Sequence, residues 1–219
     1  MFKPVPPEEI NRKFLHVLVI VFPLGVFYVP QLLNTSRFNI FVLSFLICLL
    51  SLFIDLLRIR NVAFGNWFSS QFGGLLRVHE NSHLTGATYI FGGISLCACL
   101  SIVSEVFAVS ACLALILFIL GDAAAAIGGK AFGHFRIGKK TLEGAITCFV
   151  LCLILAYWFI PFLPGFSEKW GGAILLWQAI VIAGSVSILE LFPIRVGKID
   201  LNDNLYVPVI VSYLCTLIR

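Results

Sequence analysis

The stretch GDAAAAIGGKAFGHFRIGKKTLEG, residues 121–144, gathers Asp122, Lys130, Arg136, Lys139, Lys140 and Glu143 inside a chain that is otherwise largely apolar. A carboxylate at membrane depth is costly unless it is paired or bound to a metal, so Asp122, with no base following it until Lys130, is a functional candidate by default. The basic segment after it carries Gly128, Gly129, Gly133 and Gly138. Glycine lets a backbone come close to phosphate, and lysine and arginine neutralise it. The pattern is neither a Walker A nor a GxGxxG sequence, which sets the soluble nucleotide-binding folds aside. On its own the loop reads equally as a positively charged anchor. With Asp122 before it and Glu143 after it, a phosphate-and-metal site is the stronger expectation.

Three other stretches carry compatible chemistry. EEINRKFLH spaces Glu9, Arg12, Lys13 and His16 so that they can share one side of a helix, although an amphipathic approach to the membrane would look the same. RVHENSHLTG supplies Arg77, His79, Glu80 and His83; the two histidines lie four apart but lack an HExxH pattern, and ordinary loop histidines fit as well. ELFPIRVGKIDLNDNLYVP supplies Glu190, Asp200, Asp203 and Asn204, hard oxygen ligands that suit Mg²⁺ held jointly with the phosphates of a nucleotide. Asp55 is ambiguous between a site role and an ion pair with Arg58, three residues on. Carboxylates together with a glycine-rich basic loop describe phosphoryl or nucleotidyl transfer, where catalysis is mostly positioning and charge neutralisation.

These residues need elements to position them, and the composition says which. The chain has 219 residues, of which 60% are hydrophobic and 12% charged, with mean hydropathy +1.02. Soluble domains carry roughly 25% charged residues. We expect an integral membrane protein: a single catalytic domain over 1–219, all-α, a polytopic helical bundle preceded by a short cytoplasmic segment, 1–14. A bilayer core needs about 17–25 apolar residues per helix. Seven spans are expected at 15–33, 38–57, 84–104, 106–127, 144–163, 173–192 and 205–218, the third and fourth joined by a tight turn at Ser104 and Glu105. Twelve of the fifteen lysines and arginines fall on the side of the N-terminus and the even loops; only Arg37, Lys169 and Arg219 fall on the other. That asymmetry places the N-terminus in the cytoplasm. Of the eleven acids only Glu105 and Glu168 lie on the outer side, so acids and bases gather at one face. The seven cysteines all fall within apolar runs, without metal-type CxxC spacing, and read as small hydrophobes.

Four pieces, RKFLH, GDAAAAIGGKAFG, GKKTLEG and DNLYVP, with Glu190 upstream of the last, occur in an order that resembles the CTP-dependent lipid-alcohol kinases: dolichol kinase, yeast-type diacylglycerol kinase and phytol kinase. The pieces spread over nearly the whole chain. The resemblance implies a polytopic helical fold, CTP as phosphoryl donor, Mg²⁺ or another divalent cation, and a membrane lipid alcohol (polyprenol, phytol or diacylglycerol) as acceptor, at the cytoplasmic face of a plasma or inner membrane in a bacterium, or of an ER-type or plastid membrane in a eukaryote. No nucleic-acid partner is expected. It implies Asp122 and Asp203 as metal or catalytic carboxylates, with Glu190 beside them. Lys130, Arg136, Lys139, Lys140, Gly128 and Gly129 would serve the CTP phosphates, and Arg12 and Lys13 the phosphate or lipid head. His16, Asp55, Glu80, Glu143 and Asn204 would complete the polar pocket. Phosphatidate cytidylyltransferases are similar in the central block and are the alternative; they end in a D-R-x-D element where this chain has IDLNDNLYVP. A transporter or scaffold is the remaining alternative, and the gathering of charge at one face rather than the midplane speaks against it.

Overall fold

The computed structural model describes residues 4–76, 80, 82–197 and 199–219. Arg77 and His79, and Lys3 and Lys198 of the charge count, lie outside the described residues. The chain is all-α, with ten α-helices among the described residues and two hairpins of two residues per strand.

The helix α6, Glu105–Phe132, is the axis of the molecule. Every residue from Ala108 to Ile119 is buried, as expected of a helix that is apolar on all faces. Ser104 caps its start, accepting a hydrogen bond from the Phe107 amide at 3.2 Å, so the tight turn expected at 104–105 is present. The helices α1 (Pro7–Leu18), α2 (Val21–Leu32), α5 (Gly86–Ser101), α7 (Leu142–Ile154), α9 (Leu176–Leu191) and α10 (Asp203–Ile218) pack around it. The outer helix α3, Arg37–Arg60, lies against α5 and leaves Phe45, Leu46, Leu50 and Phe53 exposed. An apolar surface of that extent on the outside of a fold calls for a partner or a membrane.

Four helical stretches are long and apolar enough to cross a membrane: Pro7–Leu32, Arg37–Arg60, Glu105–Phe132 and Leu142–Phe162. Three shorter apolar helices, α5, α9 and α10, occupy the other expected spans. The first stretch starts earlier than expected. Pro7 opens α1, where its missing amide costs nothing, and Glu9 and Lys13 are buried. Residues 7–14 are therefore helical and in contact with α6 through Glu9 and Lys13. A further helix, α4 (Val62–Phe72), stands where only a loop was expected. Pro161 falls where α7 gives way to a short π-helical stretch and a 3-10 turn, ahead of the small helix α8 (Phe166–Trp170).

Small residues set the helix spacing. A Cβ on Gly93 of α5 would fall 2.4 Å from the Asn204 carbonyl of α10, and one on Gly121 of α6 would fall 2.8 Å from Cys152 Sγ of α7. Cys148 and Cys152 are buried free thiols packed into that gap, the role expected of cysteines in apolar helices.

Charge is sorted to the two ends of α6. At its start, Glu105 binds Arg37 (2.5 Å) and Lys169 (2.9 Å), which unites three of the five charges assigned to the outer side. Asp122 lies about 25 Å further along the same helix.

Candidate functional site

The far end of α6 carries Asp122 and Lys130, and α1 crosses beside them. The helical spacing of EEINRKFLH turns Glu9, Lys13 and His16 toward α6. Glu9 pairs with Arg12 of its own helix and with Lys130 at 2.6 Å. Lys13 pairs directly with Asp122, and His16 Nε2 stands 3.3 Å from the same carboxylate. That imidazole nitrogen is buried and has no hydrogen-bond partner among the described residues.

Beyond α6 the chain turns in a hairpin, β1 (Arg136–Ile137) and β2 (Lys140–Thr141), with Gly138 at φ +61° supplying the left-handed turn. Thr141 then caps α7, accepting from the Gly144 amide at 3.2 Å. This hairpin carries Lys140 across to the ends of two other helices. Its Nζ sits 2.5 Å from Glu190, near the end of α9, and 2.6 Å from Asp203, at the start of α10. The first turn of a helix favours an acid through the helix dipole. The loop between α9 and α10 forms the second hairpin, β3 (Arg195–Val196) with β4 (Ile199–Asp200). Tyr206 fastens this loop, its hydroxyl donating to the Leu189 carbonyl at 2.9 Å and accepting from the Ile194 amide at 3.3 Å.

Two adjoining cavities open at this end. The larger, about 610 Å³, is rich in charge: Glu9, Arg12, Lys13, Asp122, Lys130, Arg136, Lys139, Lys140, Glu190 and Asp203 line it, with Gly129, Gly133 and Gly144. The smaller, about 280 Å³, is mainly apolar: Leu15, Val19, Phe68, Phe72, Leu76, Ile90 and Phe91 line it, together with His16, Glu80 and Asn204. Arg12, Lys13, Asp122 and Asp203 belong to both. The polar chamber has the basic side chains for a polyphosphate, and the apolar chamber meets it at two carboxylates.

Lys140 is the electrostatic centre of the polar chamber. Burial works against its charge, but Asp203 and Glu190 more than offset that and hold its pKa above the ordinary lysine value. The ammonium is therefore a fixed cation. Among the described residues no group of three or more His, Cys, Asp and Glu side chains is gathered to hold a metal by itself. Each carboxylate of the chamber is instead engaged by a lysine, Asp122 by Lys13 and both Asp203 and Glu190 by Lys140.

The structure brings together residues of all four sequence pieces: Arg12, Lys13, His16, Asp122, Lys130, Lys140 and Asp203, with Glu190. Arg136 and Lys139 stand at the rim, Lys139 with its side chain 92% exposed. Glu80 and Asn204 border the apolar chamber: Glu80 accepts from the Gly86 amide at 3.0 Å, and Asn204 donates to the Gly86 carbonyl at 3.1 Å.

Three expected site residues do other work. Asp55, 2% exposed, receives Arg58, the Thr85 amide (2.8 Å) and the hydroxyls of Thr85 (2.9 Å) and Thr88 (2.7 Å). Its oxygens are saturated, and it fastens the start of α5 to α3. Glu143 turns to the hairpin, accepting from the amides of His134 (2.9 Å) and Phe135 (3.1 Å). Gly128 and Gly129 lie within α6, not in a loop, because the helix runs on to Phe132. A Cβ on Gly128 would lie 2.3 Å from Thr147 Oγ1, so this glycine serves helix packing; Gly129 does border the polar chamber.

Sequence reasoning singled out Glu9 for its spacing but gave it no site role, and it missed Tyr206 as the clasp of the α9–α10 loop. The signal for Tyr206 was its place inside DNLYVP.

No family model matches the chain, and no solved structure matches it. The chain is similar to a protein of Rickettsia prowazekii described as uncharacterised, with 27% identity over 206 residues, 91% of this chain and 89% of that protein. The likeness thus runs nearly end to end in both.

Proposed function

We propose that this protein is an integral membrane enzyme that transfers the γ-phosphoryl group of CTP to the hydroxyl of a membrane lipid alcohol at the cytoplasmic face. The observation that carries this reading is the meeting of a basic polar chamber and an apolar chamber at Asp122 and Asp203. A phosphoryl donor is soluble and highly charged, whereas a lipid acceptor is apolar up to its hydroxyl. An enzyme joining them needs two unlike compartments with one shared wall.

In this reading the three short apolar helices also cross the bilayer, giving seven spans with the N-terminus and the even loops inside. The charge asymmetry of the loops supports that orientation. The sorting of ion pairs to the two ends of α6 agrees with it.

Lys130, Arg136, Lys139 and Lys140 receive the phosphates, with the backbone of Gly129 and Gly133 close by. Asp122 and Asp203, assisted by Glu190, would hold a divalent ion, whose chemistry is to neutralise phosphate charge. The acceptor hydroxyl lies at the shared wall, where the unpartnered His16 Nε2 gains a hydrogen-bond partner. Its oxygen forms the new bond to the γ-phosphorus, the bond to the bridging oxygen breaks, and CDP leaves; the hydroxyl proton passes to Asp122. Positioning and charge neutralisation dominate such a transfer.

The test uses purified protein with CTP labelled at the γ-phosphate, offered polyprenol, phytol, diacylglycerol and phosphatidic acid in turn. Label in an alcohol's phosphate ester is the expected result. Release of labelled pyrophosphate with phosphatidic acid and formation of a cytidine-containing lipid would overturn the kinase in favour of a cytidylyltransferase. Neither product with any acceptor would overturn both.

A further inference from the structure

The helix α4 has 11 residues, VAFGNWFSSQF, with no charged side chain and none buried. At 100° per residue, Phe64, Trp67, Phe68 and Phe72 fall within one sector about 140° wide, which Gln71 shares, while Asn66, Ser69 and Ser70 take the opposite side with Val62. The four rings touch in series: Phe64 with Trp67 (5.4 Å) and Phe68 (6.2 Å), and Phe72 with Phe68 (5.0 Å) and Trp67 (6.5 Å).

Only Asn61 separates α4 from α3, whose exposed flank is apolar along its length. The joint is rigid. Asn61 caps α4 by accepting from the Phe64 amide at 3.0 Å, a Cβ on Gly65 would lie 2.7 Å from the Arg58 carbonyl, and the Arg58 guanidinium stands 5.8 Å over the Phe68 ring. The aromatic helix therefore follows directly on the apolar flank of α3. On its inner side, Phe68 and Phe72 form part of the wall of the apolar chamber.

We infer that α4 lies in the membrane interface with its aromatic face in the acyl region, and that Phe68 and Phe72 form a lateral portal by which a bilayer lipid chain reaches the apolar chamber. An uncharged amphipathic helix bearing Trp and Phe suits the boundary between head groups and acyl chains. The occupant is a lipid chain because the face adjoins the flank of a helix long enough to span and opens onto a chamber walled by Leu15, Val19, Ile90 and Phe91. This inference rests on the membrane placement of the reading above and not on its reaction.

The experiment places a photoreactive benzophenone side chain at Phe68, Phe72 or Asn66 of the full chain, reconstituted in phosphatidylcholine vesicles without CTP. The expected result is a mass gain of one phosphatidylcholine at positions 68 and 72 and none at 66. Adducts at 72 alone would overturn the portal. Adducts at none of the three, or a doubled protein mass from a second copy, would overturn the interfacial placement as well. A second measurement compares wild type with Trp67→Phe in vesicles brominated along the acyl chain. Bromine quenching that falls when Trp67 is removed is expected; an unchanged quenching ratio would overturn the placement. Because both readouts are independent of phosphoryl transfer, an inactive but lipid-labelled protein sinks only the kinase, and an active but unlabelled one sinks the portal and the interfacial placement of α4 but not the kinase.

Discussion

Lys13 of α1 and Asp122 of α6, 109 positions apart in the chain, form a direct ion pair on the wall shared by the two chambers. The pair joins the first helix to the central one and holds Asp122 between the polar and the apolar chamber. Asp122→Asn is expected to lower CTP-dependent lipid phosphorylation by at least about 100-fold, the usual loss when a proton-accepting group is removed. Because that variant strands the buried Lys13 ammonium, Lys13→Met/Asp122→Asn is the control for folding. The double variant should regain thermal stability without regaining turnover. Turnover near wild type in either variant would remove Asp122 from the mechanism.

Lys140 gives a pH dependence with a definite sign. Its pKa is raised in the folded protein, so its contribution to stability is complete below the ordinary lysine value, near 10.5, and is lost as pH rises through the higher folded value. Thermal stability should accordingly show an alkaline decline, starting above about pH 10.5, that is smaller in Lys140→Met. The same variant leaves Glu190, 4% exposed, and Asp203 without their shared cation, so it should also be less stable than wild type at neutral pH. Melting curves from pH 7 to 11.5 in detergent measure both effects.

Asp55 should behave as a structural residue. Asp55→Ala removes the acceptor of the Thr85 amide and of the Thr85 and Thr88 hydroxyls, together with one partner of Arg58, and should cost about 3–5 kcal/mol. In protein that remains folded, the KM for CTP should stay within about twofold of wild type, as for substitutions remote from a site. A large rise in that KM would return Asp55 to the site.

Two glycines within helices should respond oppositely to alanine. A Cβ on Gly184 of α9 meets nothing nearer than Phe149 at 3.9 Å, so Gly184→Ala should gain the ordinary helix-propensity difference, up to about 1 kcal/mol. Gly128→Ala would drive a methyl into Thr147 and should lose about 1–3 kcal/mol. Melting temperatures of the two variants shifting in the same direction would refute the packing role of Gly128.

Much of the arrangement was legible in the residues themselves. Hydropathy located the apolar helices, and charge spacing along EEINRKFLH marked the face that meets α6. The basic turn before α7 and the acids flanking the α9–α10 loop were visible as types in sequence. What could not be read was pairing at a distance. Arg58 three residues on already made Asp55 ambiguous where Asp122 was not, but only the fold gives Asp55 three backbone and hydroxyl donors and Asp122 a place on a cavity wall. Gly128 and Gly129 looked like loop residues because glycine is a poor helix former; the close approach of Thr147 and Thr141 overrides that preference. The helix α4 was missed because its 11 residues are too few for a span and carry no charge to mark an amphipathic pattern.

The ion pairs at both ends of α6 have a mechanical consequence. Glu105 is tethered to two cations at one extremity, and Asp122 and Lys130 are tethered to α1 at the other. A rod pinned at both ends resists sliding along its length, because any shift would break ionic contacts at one pole or the other. On the reading proposed above, Asp122 would therefore keep a constant depth below the bilayer surface, and a lipid acceptor would have to adjust its own immersion to meet it.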